Sequence, residues 1–168
     1  MDAREFVKSL VQATRIWRER DIRRLQEKGC TDLSYRPRSG MSAFGWLIGH
    51  QGAAYDYILN MLIKGGSPKN PDLFYSYRGD STDNGEWKGT SLDEINDYFD
   101  SREKEFLIWF EQASDEELSR IMQGPDIPDY FKGKRIIDVI ADMFVHLNFH
   151  NGHLSAIIGD FNKHKADF

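Results

Sequence analysis

The sequence predicts an all-α fold, an up-down-type four-helix bundle with a long loop between the second and third helices, formed as one domain over residues 1–168. Three observations carry that prediction. Four segments repeat their apolar residues at intervals of three and four, the period of one helix face. No segment alternates apolar and polar residues as a half-buried strand does. Breaks rich in Gly, Pro and Asn separate the periodic segments. At 168 residues the chain is long enough to close a single core.

The first helix is expected over residues 3–28, with Phe6, Val7, Leu10, Ala13, Ile16 or Trp17, and Leu25 facing inward and Lys28-Gly29 ending it. An extended connection follows, marked by Pro37 and Gly40. Ser42 is the expected N-cap of a second helix that runs to Lys64 and stops at Gly65-Gly66-Ser67-Pro68. Its inward stripe reads Ala43, Leu47, His50, Ala54, Tyr57 and Met61. Residues 65–90 are rich in Gly, Pro, Asn, Asp and Ser and are expected to form a long loop pinned by Phe74, Tyr75, Tyr77 and Trp87. A loop of that length in a compact domain tends to be functional or to cover something.

Ser91-Leu92-Asp93-Glu94 is a capping box opening the third helix. Its inward positions are Leu92, Ile95, Tyr98 or Phe99, Phe106, Trp109 or Phe110, and Ala113. Ser114 and Glu117 cap a short turn that carries Leu118 inward. After a second linker, the fourth helix starts near Arg135 with Val139, Met143, His146, His150, His153 and Ile157 on one stripe.

Composition narrows the function. A net charge of −5 opposes a nucleic-acid partner, which calls for a basic face. Arg15, Arg18, Arg20, Arg23 and Arg24 are interleaved with Glu19 and Asp21 and read as the solvated side of a helix. No apolar run is long enough to span a membrane. The N-terminal MDAREFVKSL lacks the pattern of a secretory signal, and the single cysteine, Cys30, excludes an internal disulfide. A cytoplasmic location is expected. Cys30 sits in a turn-like KGCTD with no histidine nearby and reads as a partly exposed thiol.

The chemistry lies in the histidines. His146, His150 and His153 share one face of ADMFVHLNFHNGHLSAIIGD, and His50 lies on the inward stripe of the second helix. Positions i and i+4 of a helix differ by about 40° and about 6 Å, so His146 and His150 project side by side and can chelate one ion. His50 adds a nitrogen from a second helix, the usual way a metal site is assembled. The competing reading, core histidines satisfied by hydrogen bonds, needs several partners at once where few carboxylates share the phase. Asp142, one turn before His146, is expected to orient that ring. Three imidazoles leave a coordination position open, which suits catalysis, and residue types do not choose among Zn, Ni, Fe and Cu. Tyr57 is a candidate to reach a bound ligand, although a core tyrosine explains it equally well. Trp46 reads as packing, and His164, in the polar tail, as solvent-exposed.

The stretches RPRSGMSAFGWLIGHQGAAYDYIL, SLDEINDYFDSREKEFLIWF and HLNFHNGHLSAII together resemble the DinB-like superfamily, which includes damage-inducible bacterial proteins and thiol-dependent S-transferases. The likeness runs from the first helix to about Ile158. Its most specific elements are Ser42, Trp46 and His50, with one residue more than usual between Ser and Trp, and an H-x-x-x-H followed by Gly. The resemblance implies a four-helix bundle, often a homodimer, holding a divalent metal (Zn, Ni or Fe) at His50, His146 and His150. Where many relatives read H-R-G-Q, this chain has His150-Asn151-Gly152-His153. His153 is therefore a candidate fourth ligand, acid/base group or hydrogen-bonding partner. The implied activity is transfer of a low-molecular-weight thiol to a small electrophile. Metal-dependent hydrolysis and a non-catalytic metal-binding stress-response role acting through a dimer surface are the alternatives.

Overall fold

The computed structural model of the protein describes residues 3–38, 40–79 and 85–165. Its elements are α1 (Ala3–Glu27), α2 (Phe44–Asp56) running on as a π-helical stretch (Tyr57–Ile63), α3 (Pro71–Tyr77), α4 (Leu92–Gln112), α5 (Asp115–Ser119) and α6 (Ile136–Lys165). The four long helices are those expected, and the described residues contain no strand, only an isolated bridge between Ile121 and Arg135. No helix among them is long and apolar enough to cross a membrane.

Side-chain pairs give the helix directions. Arg4 reaches the carbonyl oxygens of Phe110 and Ala113, while Arg18 reaches Asn96, so α1 and α4 are antiparallel. Asn148 bonds Thr14 and Ser155 bonds Asp21, which makes α1 and α6 parallel. Tyr98 bonds Asp56 while Asn60 bonds Glu105, so α2 and α4 also run the same way. The order along the chain is up, down, down, up. Two successive parallel helices need a return path, and residues 64–91 provide it.

That return is not a bare loop. Asn70 caps α3 by accepting from Leu73 N–H, with Pro71 in the first turn, where a missing N–H costs nothing. The backbone N–H groups of Lys69 and Asn70 bond the buried Asp56, and Tyr77 packs on Gly49, so α3 lies antiparallel along α2. α2 is accordingly buried on every side rather than along one stripe. Its glycines make this possible: a Cβ would fall 2.6 Å from Trp87 at Gly45, 2.7 Å from Tyr77 at Gly49 and 2.7 Å from Tyr98 at Gly52.

The core forms two adjoining layers. One gathers Val7, Ile58, Phe106, Phe110, Val139 and Leu147; the other gathers Leu25, Trp46, Leu47, Tyr77, Ile95 and Ile157. α2 and α6 pass through both, and the histidines stand where the layers meet.

Several expectations are corrected. Phe6, Ile16 and Trp17 are exposed, and the buried face of α1 is Val7, Val11, Thr14, Arg18, Asp21, Ile22 and Leu25. Arg18 is therefore not solvated: its guanidinium lies 4.1 Å from the Phe99 ring centre and bonds Asn96 at 2.9 Å. Cys30 is buried, packed with Ile22, Leu25 and Leu33. Ser42 does not cap α2; the helix starts at Phe44 behind Ala43, with no side-chain cap. The Ser91–Glu94 capping box forms in full, and Ser114 caps α5 by accepting from Glu117 N–H. The expectation for the His164 side chain lies outside what is described.

Candidate metal centre

α2 and α6 run antiparallel, and their contact sets His50 opposite His146 and His150. The Nε2 atom of His146 is 2.9 Å from Nε2 of His50 and 3.1 Å from Nε2 of His150. One potential ligand nitrogen from each of the three rings lies within 4.8 Å of the others. Two nitrogens on one tetrahedral ion with bonds of about 2.1 Å are about 3.4 Å apart, so the spacing suits a single cation.

The tautomer of His50 supports the same reading. Its Nδ1–H donates to the carbonyl oxygen of Tyr77 at 2.7 Å, which leaves Nε2 with its lone pair facing the other rings. No single proton can satisfy three nitrogens pointed at one spot, whereas one cation can. The donor set therefore fits a divalent metal, and the backbone at Tyr77 orients the His50 ring.

Burial keeps these rings neutral, the form that binds metal. Desolvation brings His50 down to about 4 and, with repulsion from the neighbouring histidines added, His150 down to about 2. His146 is exposed as a residue, but its Nε2 faces the other two rings, and desolvation lowers its pKa as well. His50 also stacks on Trp46, with ring centres 4.5 Å apart and planes 10° from parallel.

The DinB superfamily profile matches residues 17–154. The chain belongs to the DinB superfamily. No curated protein matches it. The family match begins in the second half of α1 and ends within α6, so it includes every histidine of the DinB site described here.

A cavity of about 700 Å³ opens beside the histidines of this DinB chain. Trp46, His50, Tyr57 and Met61 line it from α2 and its π-helical extension, Phe74 and Arg78 from the return segment, and Asp142, Met143, His146 and His150 from α6. Tyr57 is half-buried there and stacks on Phe74, with ring centres 6.4 Å apart. Trp46 is both packing and wall. The π-helical stretch continues the wall directly from α2, a place where such widened turns often accompany function.

One expected role changes. Asp142 is held by Lys134 Nζ at 2.6 Å, and the outer partner found in the structure is the Tyr77 carbonyl, on His50. His153 stands outside the converging group. It is half-buried, with its ring centre 4.3 Å from that of Phe149 and 5.7 Å from that of His150. Sequence reasoning passed over Tyr77 and Arg78 as site residues. The signal available was Asn70-Pro71-Asp72, a helix start inside the presumed loop.

Proposed function

We propose that this DinB-superfamily protein holds a divalent metal at His50, His146 and His150 and uses it to transfer a small-molecule thiol to an electrophile. What supports the reading is the convergence of three Nε2 atoms at a large, partly apolar cavity. A divalent ion held by His50, His146 and His150 would lower the pKa of a bound thiol. The rest falls to the chain. Trp46 and the Tyr77 carbonyl hold His50 in place, and the cavity wall presents the electrophile to the sulfur. The thiolate sulfur forms a bond to the electrophilic carbon, the leaving group departs with its electron pair, and the thiol proton passes to solvent.

The competing readings have less support. A closed, non-catalytic site needs a fourth side chain, and His153 stands apart from the group. Water activation for hydrolysis needs a base, and Asp142, the single carboxylate among the described cavity-lining residues, is engaged by Lys134. A homodimer is part of the same proposal, carried by the family resemblance, and sedimentation checks it. The activity test is conjugation of a panel of thiols to 1-chloro-2,4-dinitrobenzene by chelator-treated protein, with and without added Zn, Ni or Fe. Metal-dependent turnover that disappears in His146→Ala is expected. Absence of metal-dependent turnover with every thiol would contradict the transferase reading.

A further inference from the structure

The cavity beside the histidines changes character along its length. From His50 to Tyr57 is seven residues, roughly 10 Å of helix, so Tyr57 lines it two turns beyond the first imidazole. Because α6 runs the other way, Met143, seven residues before His150, lines the same stretch. The wall here is aromatic. The Tyr57 ring centre is 6.4 Å from that of Phe74, with planes 21° from parallel, and 6.5 Å from that of Phe131. Phe74 comes from α3 and Phe131 from the linker before α6, so rings from three separate stretches of the chain meet. Lys134 pins that linker, bonding Asp142 at 2.6 Å and lying 3.6 Å from the Tyr130 ring centre. The same bond compensates Asp142, the one carboxylate among the described lining residues. Arg78, the other charged residue among them, sets its guanidinium 5.1 Å from the Tyr75 ring centre and is engaged within the protein.

A cavity walled by rings, with its charges already engaged, selects an uncharged aromatic ligand. We infer that the electrophile taken by this site is an uncharged aryl compound, its ring packed against Tyr57, Phe74 and Phe131 and its reacting carbon towards the histidines. Aromatic rings gain from offset and edge-on contacts beyond the area they bury, and the thioethers of Met61 and Met143 are polarisable neighbours for such a ring. A charged group would leave water for a wall that offers it no open partner, which disfavours anions and cations alike. The volume of about 700 Å³ accommodates a ligand of drug size. The inference deepens the proposed function and rests on it for the reaction alone: the sulfur–carbon bond forms, the leaving group takes its bonding pair, and the thiol proton goes to solvent.

The test titrates chelator-treated protein by calorimetry with 2-naphthalenemethanol, its saturated counterpart 2-decalinmethanol, and the anion 2-naphthoate. Naphthalenemethanol is expected to bind, and naphthoate to bind at least about 10-fold more weakly. Phe131→Leu, at a half-buried linker position, is expected to weaken naphthalenemethanol by about 3- to 10-fold and the saturated alcohol by less than about twofold. Tyr57→Leu repeats the comparison from a different element, and matching melting temperatures confirm that each variant folds. Equal losses for the two alcohols in both variants overturn the aromatic subsite. Naphthoate binding as tightly as naphthalenemethanol overturns the preference for an uncharged ligand, and no binding by either alcohol overturns the inference outright. If metal-dependent thiol transfer is found while the two alcohols respond alike, the inference fails and the proposed function stands. If ring-selective binding is found without metal-dependent transfer, the aryl site stands and the transferase proposal fails.

Discussion

The carbonyl oxygen of Tyr77 accepts a 2.7 Å hydrogen bond from Nδ1 of His50, which ties the segment that returns between α2 and α4 to the histidine cluster. The return path is required because those two helices run parallel. It passes close along α2 because Gly49 offers no side chain: a Cβ there would lie 2.7 Å from the Tyr77 ring. Tyr77 is fully buried and its ring has nowhere to go. A backbone choice in one helix therefore sets the tautomer of the histidine one residue later.

Gly49→Ala is expected to displace Tyr77, weaken metal binding by roughly 10- to 100-fold and lower stability by about 1–3 kcal/mol. The diagnostic readout is the NMR signal of the His50 Nδ1 proton, protected by the Tyr77 carbonyl in the native protein and lost in the variant. Unchanged affinity together with an intact Nδ1 signal contradicts the coupling.

Acidity offers a second prediction. His50 is held down to about 4 and His150 down to about 2, both below the ordinary 6.5, so the native protein keeps them neutral while the unfolded chain protonates them. Their contribution to stability is complete above about pH 6.5 and is lost as pH falls, towards 4 for His50 and towards 2 for His150, at up to about 1.4 kcal/mol per pH unit for each ring. Urea unfolding of metal-free protein between pH 6.5 and 5, where most carboxylates stay ionised, is expected to show this slope. It should be shallower in His150→Gln, and equal slopes in the two proteins would count against neutral, buried rings.

The histidine pair on α6 was legible because i, i+4 spacing needs only local geometry, and His50 was legible because it interrupts an apolar helix. The phase of α1 was not. Thr14, Arg18 and Asp21 are polar yet buried. The partners of the first two, Asn148 for Thr14 and Asn96 with the Phe99 ring for Arg18, lie far along the chain, while Asp21 pairs with its neighbour Arg20 and accepts from Ser155 of α6. A pattern of apolar residues cannot register such partners, so Phe6, Ile16 and Trp17 were turned inward instead. α3 was hidden for a different reason: Gly, Pro, Asn and Ser around it signal a loop, and a two-turn helix has too few residues to show a period.

A buried charge on α4, facing α1, leads to a stability prediction. Glu103 is 3% exposed and accepts from Arg15 Nε at 2.6 Å and from Tyr55 at 3.3 Å. Removing the cation strands the carboxylate, so Arg15→Ala is expected to cost roughly 3–5 kcal/mol. Lys8→Ala, which breaks a solvent-screened ion pair with the exposed Glu111, is expected to cost far less. Chemical denaturation compares them, and similar losses would mean that Glu103 finds other compensation.

His153 separates an open site from a closed one. Because it stands outside the converging nitrogens, His153→Ala is expected to change metal affinity by less than about threefold, within the range of indirect effects on neighbours. A loss as large as that of His146→Ala would make it a fourth ligand and favour a structural role.

The most direct measurement is metal content and X-ray absorption of protein purified without chelator or an added histidine tag. One transition ion per chain, bound by three imidazole nitrogens and absent from His50→Ala and His150→Ala, is the expected result. Protein that binds no such ion when exposed to Zn, Ni or Fe, or that binds one equally well without those histidines, would contradict the account at its centre.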